Sequence, residues 1–96
     1  MNKNKIVITG GHGRFGKVLS LSNKNLNIYY PKKNELNILK IDSINSYLKK
    51  IKPKYLIHCA GLSRPMDIHN TEISKSIDIN IIGTANIVKI CSKLKI

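Results

Sequence analysis

The chain has 96 residues, of which 42% are apolar, 23% charged and 5% aromatic, proportions typical of one small globular domain. Its length excludes a second domain and predicts a core of limited stability, because short chains bury a smaller fraction of their surface. The sequence shows no basic-then-apolar leader and no apolar run of the roughly 18 residues that a membrane span requires. We therefore predict a single domain over residues 1–96 in the cytoplasm, with no membrane partner.

The charge is strongly basic, since 17 Lys and Arg residues against 5 Asp and Glu residues give a formal net charge of +12. Such an excess is typical of proteins that bind nucleic acid or other polyanions. The lysines, however, are spread from Lys3 to Lys95 and form no run longer than two. A solvated, lysine-rich surface explains this pattern, and nucleic-acid binding remains an alternative that we rank below the others.

The two cysteines and three histidines form no ligand cluster. Cys59 and Cys91 have no neighbouring CxxC or Cys/His pattern, which argues against both a zinc site and a disulfide framework. His12, His58 and His69 are too far apart for a local metal motif. We predict no metal site and a packing role for the cysteines.

Three runs of β-forming residues predict strands at 5–9, 27–30 and 55–58. A short additional strand is expected at 36–39. Helix-compatible segments separate the runs, so the pattern predicts βαβ units, and hence a parallel sheet with flanking helices.

Three helices are predicted between and after these strands, the first directly after a glycine-rich segment. The second is expected to be capped by Asp42 and to end before Pro53. Its apolar stripe consists of Ile44, Leu48 and Ile51. The third opens at residues 70–71 and has apolar residues on two sides, which predicts burial on both. These two stripes are Ile73, Ile77, Ile81 and Val88, and Ile79, Ile82 and Ile90.

Gly10, Gly13 and Gly16 stand three residues apart between the first strand and the first helix. Glycines at this position let the backbone approach a pyrophosphate, while the free N–H groups and positive dipole end of the helix face the anion. The placement favours dinucleotide binding, although tight helix-sheet packing remains an alternative explanation of the glycines. A complete dinucleotide-binding sheet has about six strands. The predicted fold class is therefore α/β, a partial Rossmann fold truncated after its first half.

The same segment nearly fits the loop GxxxxGK[ST] that binds nucleoside triphosphates. Residues 11–17 match, but Val18 stands where a hydroxyl should bind magnesium. The strand at 55–58 also ends in His58, where such an enzyme would need an aspartate. These two departures argue against a nucleoside triphosphatase.

Four segments, in order, make the chain resemble the extended short-chain dehydrogenases, most of all their dTDP-4-dehydrorhamnose reductase branch. They are residues 8–16, 35–38, 58–61 and 80–86, so the resemblance runs along nearly the whole chain. It implies the NAD(P)-binding N-terminal part of a sugar-nucleotide reductase or epimerase. Intact members of this lineage would reduce a 4-keto nucleotide sugar by hydride transfer.

The resemblance also implies a set of cofactor-binding residues. The glycine loop would hold the pyrophosphate, residues 35–38 would lie next to the adenine, and residues 58–61 with Ser63 would line the nicotinamide side. Asn37 replaces an aspartate of the family, and Asn80 matches an asparagine that helps to position a proton relay. The residues implied in this way are Gly10, Gly13, Arg14, Phe15, Gly16, Asn37, Ile38, Cys59, Ala60, Gly61, Ser63 and Asn80.

The type of dinucleotide depends on the end of the second strand. NAD-binding domains usually place a carboxylate there to accept from the ribose 2′-hydroxyl. This chain instead has Lys32 and Lys33, and Glu35 lies past the turn. Two positive charges favour a 2′-phosphate, hence NADP over NAD, with Arg14 as a second contact. The alternative is that both lysines are ordinary turn residues of a lysine-rich chain.

The catalytic Tyr-x-x-x-Lys pair of the family that the chain resembles is missing. In that family the lysine lowers the tyrosine pKa for proton transfer. Tyr29 and Lys33 have the right spacing, but Tyr29 lies in a predicted strand and Pro31 separates the two. We therefore predict no catalytic residue in this chain, and a non-catalytic dinucleotide-binding or regulatory module remains an alternative function.

The strand at 55–58 is expected to lie at an uncovered edge of the sheet. Leu56, Ile82 and Val88 should then lose part of the burial that a complete fold would give them. An exposed strand edge favours pairing with another chain. We therefore expect either self-association through this edge or a chain that is a fragment of a longer product.

Overall fold

The computed structural model describes residues 4–10, 27–60 and 73–96 of the chain. Its strands are β1 (Ile6–Thr9), β2 (Ile28–Tyr29) and β3 (Tyr55–His58). They form one parallel sheet in the order β2-β1-β3. The predicted parallel α/β arrangement is confirmed, with β2 shorter than expected. Among the described residues β3 lies at an edge of the sheet, also as expected.

The prediction of an additional strand at 36–39 is wrong. The segment forms turns, in which the Asn37 side-chain oxygen accepts the Leu39 N–H at 3.0 Å and the Asn37 carbonyl accepts the Lys40 N–H at 3.0 Å. Asn side chains compete in this way with regular backbone pairing. Leu36 is nevertheless buried, because the turn directs it into the core.

Helix α1 (Ile41–Ile51) follows this turn. Lys40 occupies the capping position with an extended backbone and no side-chain hydrogen bond, so the prediction that Asp42 caps the helix is wrong. Asp42 lies inside the first turn, where its negative charge still favours the positive end of the helix dipole.

The long helix (residues 73–94) consists of α2 (Ile73–Ile77), a π-helical turn (Asp78–Ile82) and α3 (Gly83–Leu94). The backbone stays helical at both joints, with φ of −62° at Ile77 and −59° at Gly83. The three segments are therefore continuous. The wide central turn was not predicted, because apolar spacing does not distinguish a single π turn from α-helix.

The core lies between one face of the sheet and helices α1 and α3. Its buried members are Val7, Leu36, Ile44, Leu48, Ile87 and Ile90. Ile8 is also fully buried, so both faces of β1 are covered, as is usual in parallel sheets. The predicted apolar stripe of α1 is confirmed, with Ile51 packed against its edge.

The predicted burial of the long helix on two sides is wrong. One of the expected stripes lies in solvent, with Ile81 63% and Val88 61% exposed. The physical reason is that α3 packs through Ile87 and Ile90, while among the described residues the sheet ends at β3 and provides nothing beyond it. The expected exposure of Ile82 and Val88 is therefore confirmed. No helix in the described ranges is long and apolar enough to cross a membrane.

Both helices that end within the described residues do so at a lysine in the left-handed conformation. Lys52 follows α1 with φ of 56°, and Lys95 follows α3 with φ of 60°. Their backbone N–H groups bond back to the last turn, from Lys52 to Leu48 at 2.8 Å and from Lys95 to Ser92 at 3.3 Å. Glycine is usual at such positions, because an L side chain is strained there.

Candidate functional site

The carboxyl ends of the three parallel strands meet at one edge of the sheet, formed by residues 9–10, 30–33 and 58–60. We call it the carboxyl edge. In open parallel sheets, ligands bind in the crevice outside this edge. Five of the predicted site residues lie there or directly beside it: Gly10, Lys32, Lys33, Cys59 and Ala60.

Gly10 crosses the end of β3 at very short range. A Cβ atom at Gly10 would lie 2.6 Å from the Ala60 nitrogen and 2.7 Å from the Cys59 carbonyl carbon. Its φ of +70° is also a conformation that L residues rarely adopt. Glycine is therefore required at the end of β1 both by conformation and by space, and the crossing brings Gly10, Cys59 and Ala60 together.

Thr9 fixes the end of β3 from the neighbouring strand. Its side chain is 2% exposed, and its Oγ1 accepts the backbone N–H groups of Cys59 at 3.1 Å and Ala60 at 3.2 Å. The same oxygen lies 2.6 Å from His58 Nδ1. The Cys59 N–H also donates to the Thr9 carbonyl at 3.0 Å, so it is shared between two oxygens. A hydroxyl has one proton and two acceptor positions, and we infer from the two N–H groups that the Thr9 hydroxyl donates its proton to Nδ1.

His58 then carries its proton on the other ring nitrogen. Nε2 lies 3.0 Å from Thr84 Oγ1 on the long helix and donates to it. Burial also lowers the pKa of the His58 ring, which favours the neutral form. The result is a directed series of hydrogen bonds, Thr9 to His58 to Thr84, which we call the polar chain. It joins β1, β3 and the long helix.

The two lysines after β2 are exposed. The turn that carries them is closed by Glu35, whose carboxylate accepts the Lys32 backbone N–H at 2.8 Å and whose own N–H donates to the Lys32 carbonyl at 2.9 Å. The acidic group nearest to the strand end is thus engaged by the turn backbone. Lys32 and Lys33 provide the side-chain charge at this corner of the carboxyl edge.

Asn37 is held between this turn and α1. Besides the bond to Leu39 described above, its backbone N–H donates to Ser43 Oγ at 2.9 Å. Asn37 is half-buried. Its side-chain oxygen therefore has a structural role in the turn, which the resemblance did not imply.

Ile38 is fixed against α3. Its carbonyl accepts from Asn86 Nδ2 at 2.9 Å. A Cβ at Gly83 would lie 2.6 Å from Ile38 Cδ1, so the backbone of α3 and the Ile38 side chain are in close contact at this point. The segment that follows β2 is thus attached to the same helical turn that carries Thr84.

The remaining described candidates lie in less specific surroundings. Asn80 is half-buried within the π-helical turn, a kind of irregularity that often occurs at functional sites. Burial raises the pKa of the Cys59 thiol, which keeps it protonated and agrees with a packing role. Tyr29 lies in β2 as predicted, so its spacing to Lys33 has no catalytic meaning.

Six predicted site residues lie outside the described residues: Gly13, Arg14, Phe15, Gly16, Gly61 and Ser63. The predicted first helix lies outside them as well. Conversely, sequence reasoning assigned no role to Thr9, Thr84 or Asn86. The parallel register pairs Thr9 with His58, so their contact could have been inferred from two polar residues that end predicted strands. The partners on the long helix have no such local signal.

A parallel sheet whose first strand ends in a positive-φ glycine that lies against the end of the neighbouring strand β3 is typical of a Rossmann-like α/β protein. The family can be stated more closely. A family model described as the RmlD substrate binding domain matches residues 4–96, and the chain belongs to this family.

Solved structures of similar proteins agree with this family assignment. A dTDP-4-dehydrorhamnose reductase from Bacillus anthracis, in complex with NADP, is 28% identical, with a TM-score of 0.88 over 99% of this chain and 34% of its own. The enzyme of the same name from Yersinia enterocolitica is 27% identical, with a TM-score of 0.78 over 97% and 33%.

A GDP-L-colitose synthase from Yersinia pseudotuberculosis is 37% identical over 60 residues, which cover 60% of this chain and 20% of that protein. The chain thus spans about a third of the length of the reductases and a smaller part of the synthase.

Proposed function

We propose that this chain is the NAD(P)-binding N-terminal part of a sugar-nucleotide reductase or epimerase, and that it binds the dinucleotide across the carboxyl edge. The observation that carries the proposal is the crossing of Gly10 over Cys59 and Ala60. This geometry ends β1 in the sharp turn from which a glycine loop can lead a pyrophosphate to a helix N-terminus. The NADP in the related Bacillus anthracis structure supports the same class of ligand.

The proposed binding set comprises residues around the three strand ends. The glycine loop contacts the pyrophosphate, Asn37 and Ile38 lie on the adenine side, and the residues after β3 lie on the nicotinamide side. The complete set is Gly10, Gly13, Arg14, Phe15, Gly16, Lys32, Lys33, Asn37, Ile38, Cys59, Ala60, Gly61, Ser63 and Asn80.

The preferred dinucleotide is NADP. Lys32 and Lys33 are exposed after β2, where the adenosine ribose of a bound dinucleotide lies. One carboxylate oxygen of Glu35, Oε1, accepts the Lys32 N–H and is thereby engaged by the turn backbone. Two ammonium groups can bind the additional phosphate of NADP through charge-assisted hydrogen bonds.

In the whole protein, the bound NADPH would supply a hydride to a 4-keto nucleotide sugar. The residues of this chain hold and orient the dinucleotide, and the Tyr-x-x-x-Lys pair for proton transfer is not among them. The related reductases and the colitose synthase, which act on dTDP- and GDP-sugars by their names, support a nucleotide sugar as the substrate class. The proposed compartment is the cytoplasm, where NADPH is available.

The test is a fluorescence titration of the chain with NADPH and NADH. We expect NADPH to bind more tightly, and Gly13→Asp to abolish binding of both because a carboxylate would face the pyrophosphate. The double variant Lys32→Ser with Lys33→Ser should reduce the preference for NADPH. The matched control, Lys89→Ser with Lys93→Ser, removes equal charge from two exposed positions of α3 and should bind like the wild type.

Absent binding of either dinucleotide, or a Gly13→Asp variant that binds normally, would contradict the proposal. If the preference for NADPH survived the Lys32 and Lys33 substitutions, the proposed role of these lysines in selecting NADP would be wrong, and only the proposal of dinucleotide binding would remain.

A non-catalytic dinucleotide-binding or regulatory module is the second candidate. It is favoured by the missing Tyr-x-x-x-Lys pair. The two are distinguished by incubating the chain with NADPH and a 4-keto nucleotide sugar and following absorbance at the nicotinamide band. Oxidation of NADPH by this chain would exclude the non-catalytic module.

A further inference from the structure

One helical turn, residues 83–86, contacts both the segment that follows β2 and the end of β3. Gly83 and Asn86 hold Ile38 of the first segment, through the close contact and the 2.9 Å hydrogen bond described above. Thr84 holds His58 on the side of β3, at 3.0 Å. None of Thr84, Asn86 and His58 belongs to the proposed binding set.

The two sides joined by this turn correspond to the two halves of a dinucleotide. β1 lies between β2 and β3. Ile38 belongs to the segment that follows β2, and Ala60 belongs to the segment that follows β3. A dinucleotide bound at such an edge places its pyrophosphate at the end of β1 and its two nucleosides on either side. The distance between the two nucleoside subsites is thus fixed by whatever connects the segments after β2 and β3.

We propose that His58, Thr84 and Asn86 are positioning residues that set the spacing of the two nucleoside subsites, and so favour a dinucleotide over its adenosine half alone. This inference rests on the proposed function. The three residues act through Ile38 on one side and through the polar chain on the other. They need no contact with the ligand.

The polar chain is suited to this role because it has one direction. The Thr9 hydroxyl accepts two backbone N–H groups from Cys59 and Ala60, and this leaves its proton for His58. The ring then has to donate to Thr84. Rotating any of these groups loses a hydrogen bond in a half-buried site, so the end of β3 has one favoured position relative to the long helix.

The experiment compares two ligands on the full chain, NADPH and 2′,5′-ADP, which is the adenosine half of NADPH with its phosphates. Thr84→Val removes the acceptor of His58 while preserving the shape of the side chain, and Asn86→Ala removes the bond to Ile38. Each should weaken NADPH binding by about three- to tenfold, the range for one lost hydrogen bond. Binding of 2′,5′-ADP should change less than twofold in Thr84→Val. Asn86→Ala releases Ile38 of the proposed adenine side and should weaken the binding of both ligands.

Thr84→Ser keeps the hydroxyl and should restore wild-type affinity for NADPH. Val88→Thr is the matched control, because it changes an exposed residue one turn further along the same helix. Equal losses for both ligands in Thr84→Val would overturn the inference, since general damage to the fold acts on both. Unchanged NADPH binding in these variants would overturn it as well.

A measurement on the wild type keeps the inference testable if a variant fails to fold. Nitrogen-15 NMR of the His58 ring at pH 7 should show a neutral imidazole with its proton on Nε2. A proton on Nδ1, or a charged ring, would overturn the direction of the polar chain. Wild-type chain that binds neither ligand, with the expected ring signal, would refute the proposed function rather than the geometry of the polar chain.

Discussion

Replacing Gly10 with alanine tests the crossing on which the site depends. The new Cβ would meet backbone atoms of Cys59 and Ala60 at 2.6–2.8 Å, and these atoms are held in place by Thr9. An L residue in the left-handed conformation costs about 1–2 kcal/mol. An extra methyl group in a tightly packed site costs about 1–3 kcal/mol more.

The sum of about 2–5 kcal/mol is a large part of the roughly 5–15 kcal/mol that stabilises a folded protein. For a small chain, whose free energy of unfolding falls by about 1 kcal/mol per molar urea, the midpoint should decrease by at least about 2 M. Circular dichroism at increasing urea concentration measures this directly. At the upper end of the range the variant would be unfolded without denaturant.

Gly83→Ala is the matched control, because its added Cβ would also lie 2.6 Å from a neighbour. That neighbour is the end of the Ile38 side chain, which can rotate, and the backbone at Gly83 is already helical with φ of −59°. Alanine is favoured over glycine in helices by about 1 kcal/mol. The Gly83→Ala midpoint should therefore stay within about 1 M of the wild type. If Gly10→Ala were no more destabilising than Gly83→Ala, the reasoning from backbone contact and positive φ would be refuted.

Three further outcomes are expected. Lys95→Gly should raise the free energy of unfolding in urea by about 0.5–1 kcal/mol, because glycine relieves the positive φ, whereas Lys93→Gly within α3 should lower it by a similar amount. Burial lowers the pKa of folded His58 below its ordinary value, so its contribution to stability is present above pH 6.5 and is lost as pH falls through the folded pKa. His58→Asn should therefore reduce the loss of stability measured between pH 7 and 5. An unchanged pH profile of stability would contradict this expectation. If the exposed stripe drives self-association, Ile81→Lys with Val88→Lys should shift sedimentation of the concentrated chain towards the monomer, and an unchanged mass distribution would exclude that surface.

The sequence predicted those features that depend on neighbouring residues. The three strands and the apolar stripe of α1 follow from local patterns of apolar residues. The glycine at the end of β1 was predicted for the approach of a pyrophosphate, whereas its close contact with Cys59 and Ala60 was not expected. The turn at 36–39 was missed because β-propensity was weighed for Leu36 and Ile38, while the hydrogen bond from Leu39 to the Asn37 side chain decided the conformation.

Some contacts of the candidate site could likewise be predicted from the sequence, and others could not. That strand-end residues meet at one edge follows from parallel pairing, so the placement of Gly10, Cys59 and Ala60 could be predicted. The contact from His58 to Thr84 joins residues 26 positions apart and depends on how α3 lies on the sheet. No periodicity in a single sequence contains that information. The exposure of Val88 likewise depends on the width of the sheet and not on the helix that carries the residue.

The π-helical turn at Asp78–Ile82 changes how the two ends of the long helix relate to each other. In such a turn the backbone bonds skip five residues instead of four, so it holds roughly one residue more than an α-helical path of the same rise. One residue corresponds to about 100° of rotation around the axis. The side chains of Ile73 and Ile77 therefore point in directions that cannot be extrapolated from Ile87 and Ile90. Deleting one residue from 78–82 would let this turn become α-helical, so the two ends of the long helix should keep their present orientation while the apolar spacing of the sequence becomes continuous.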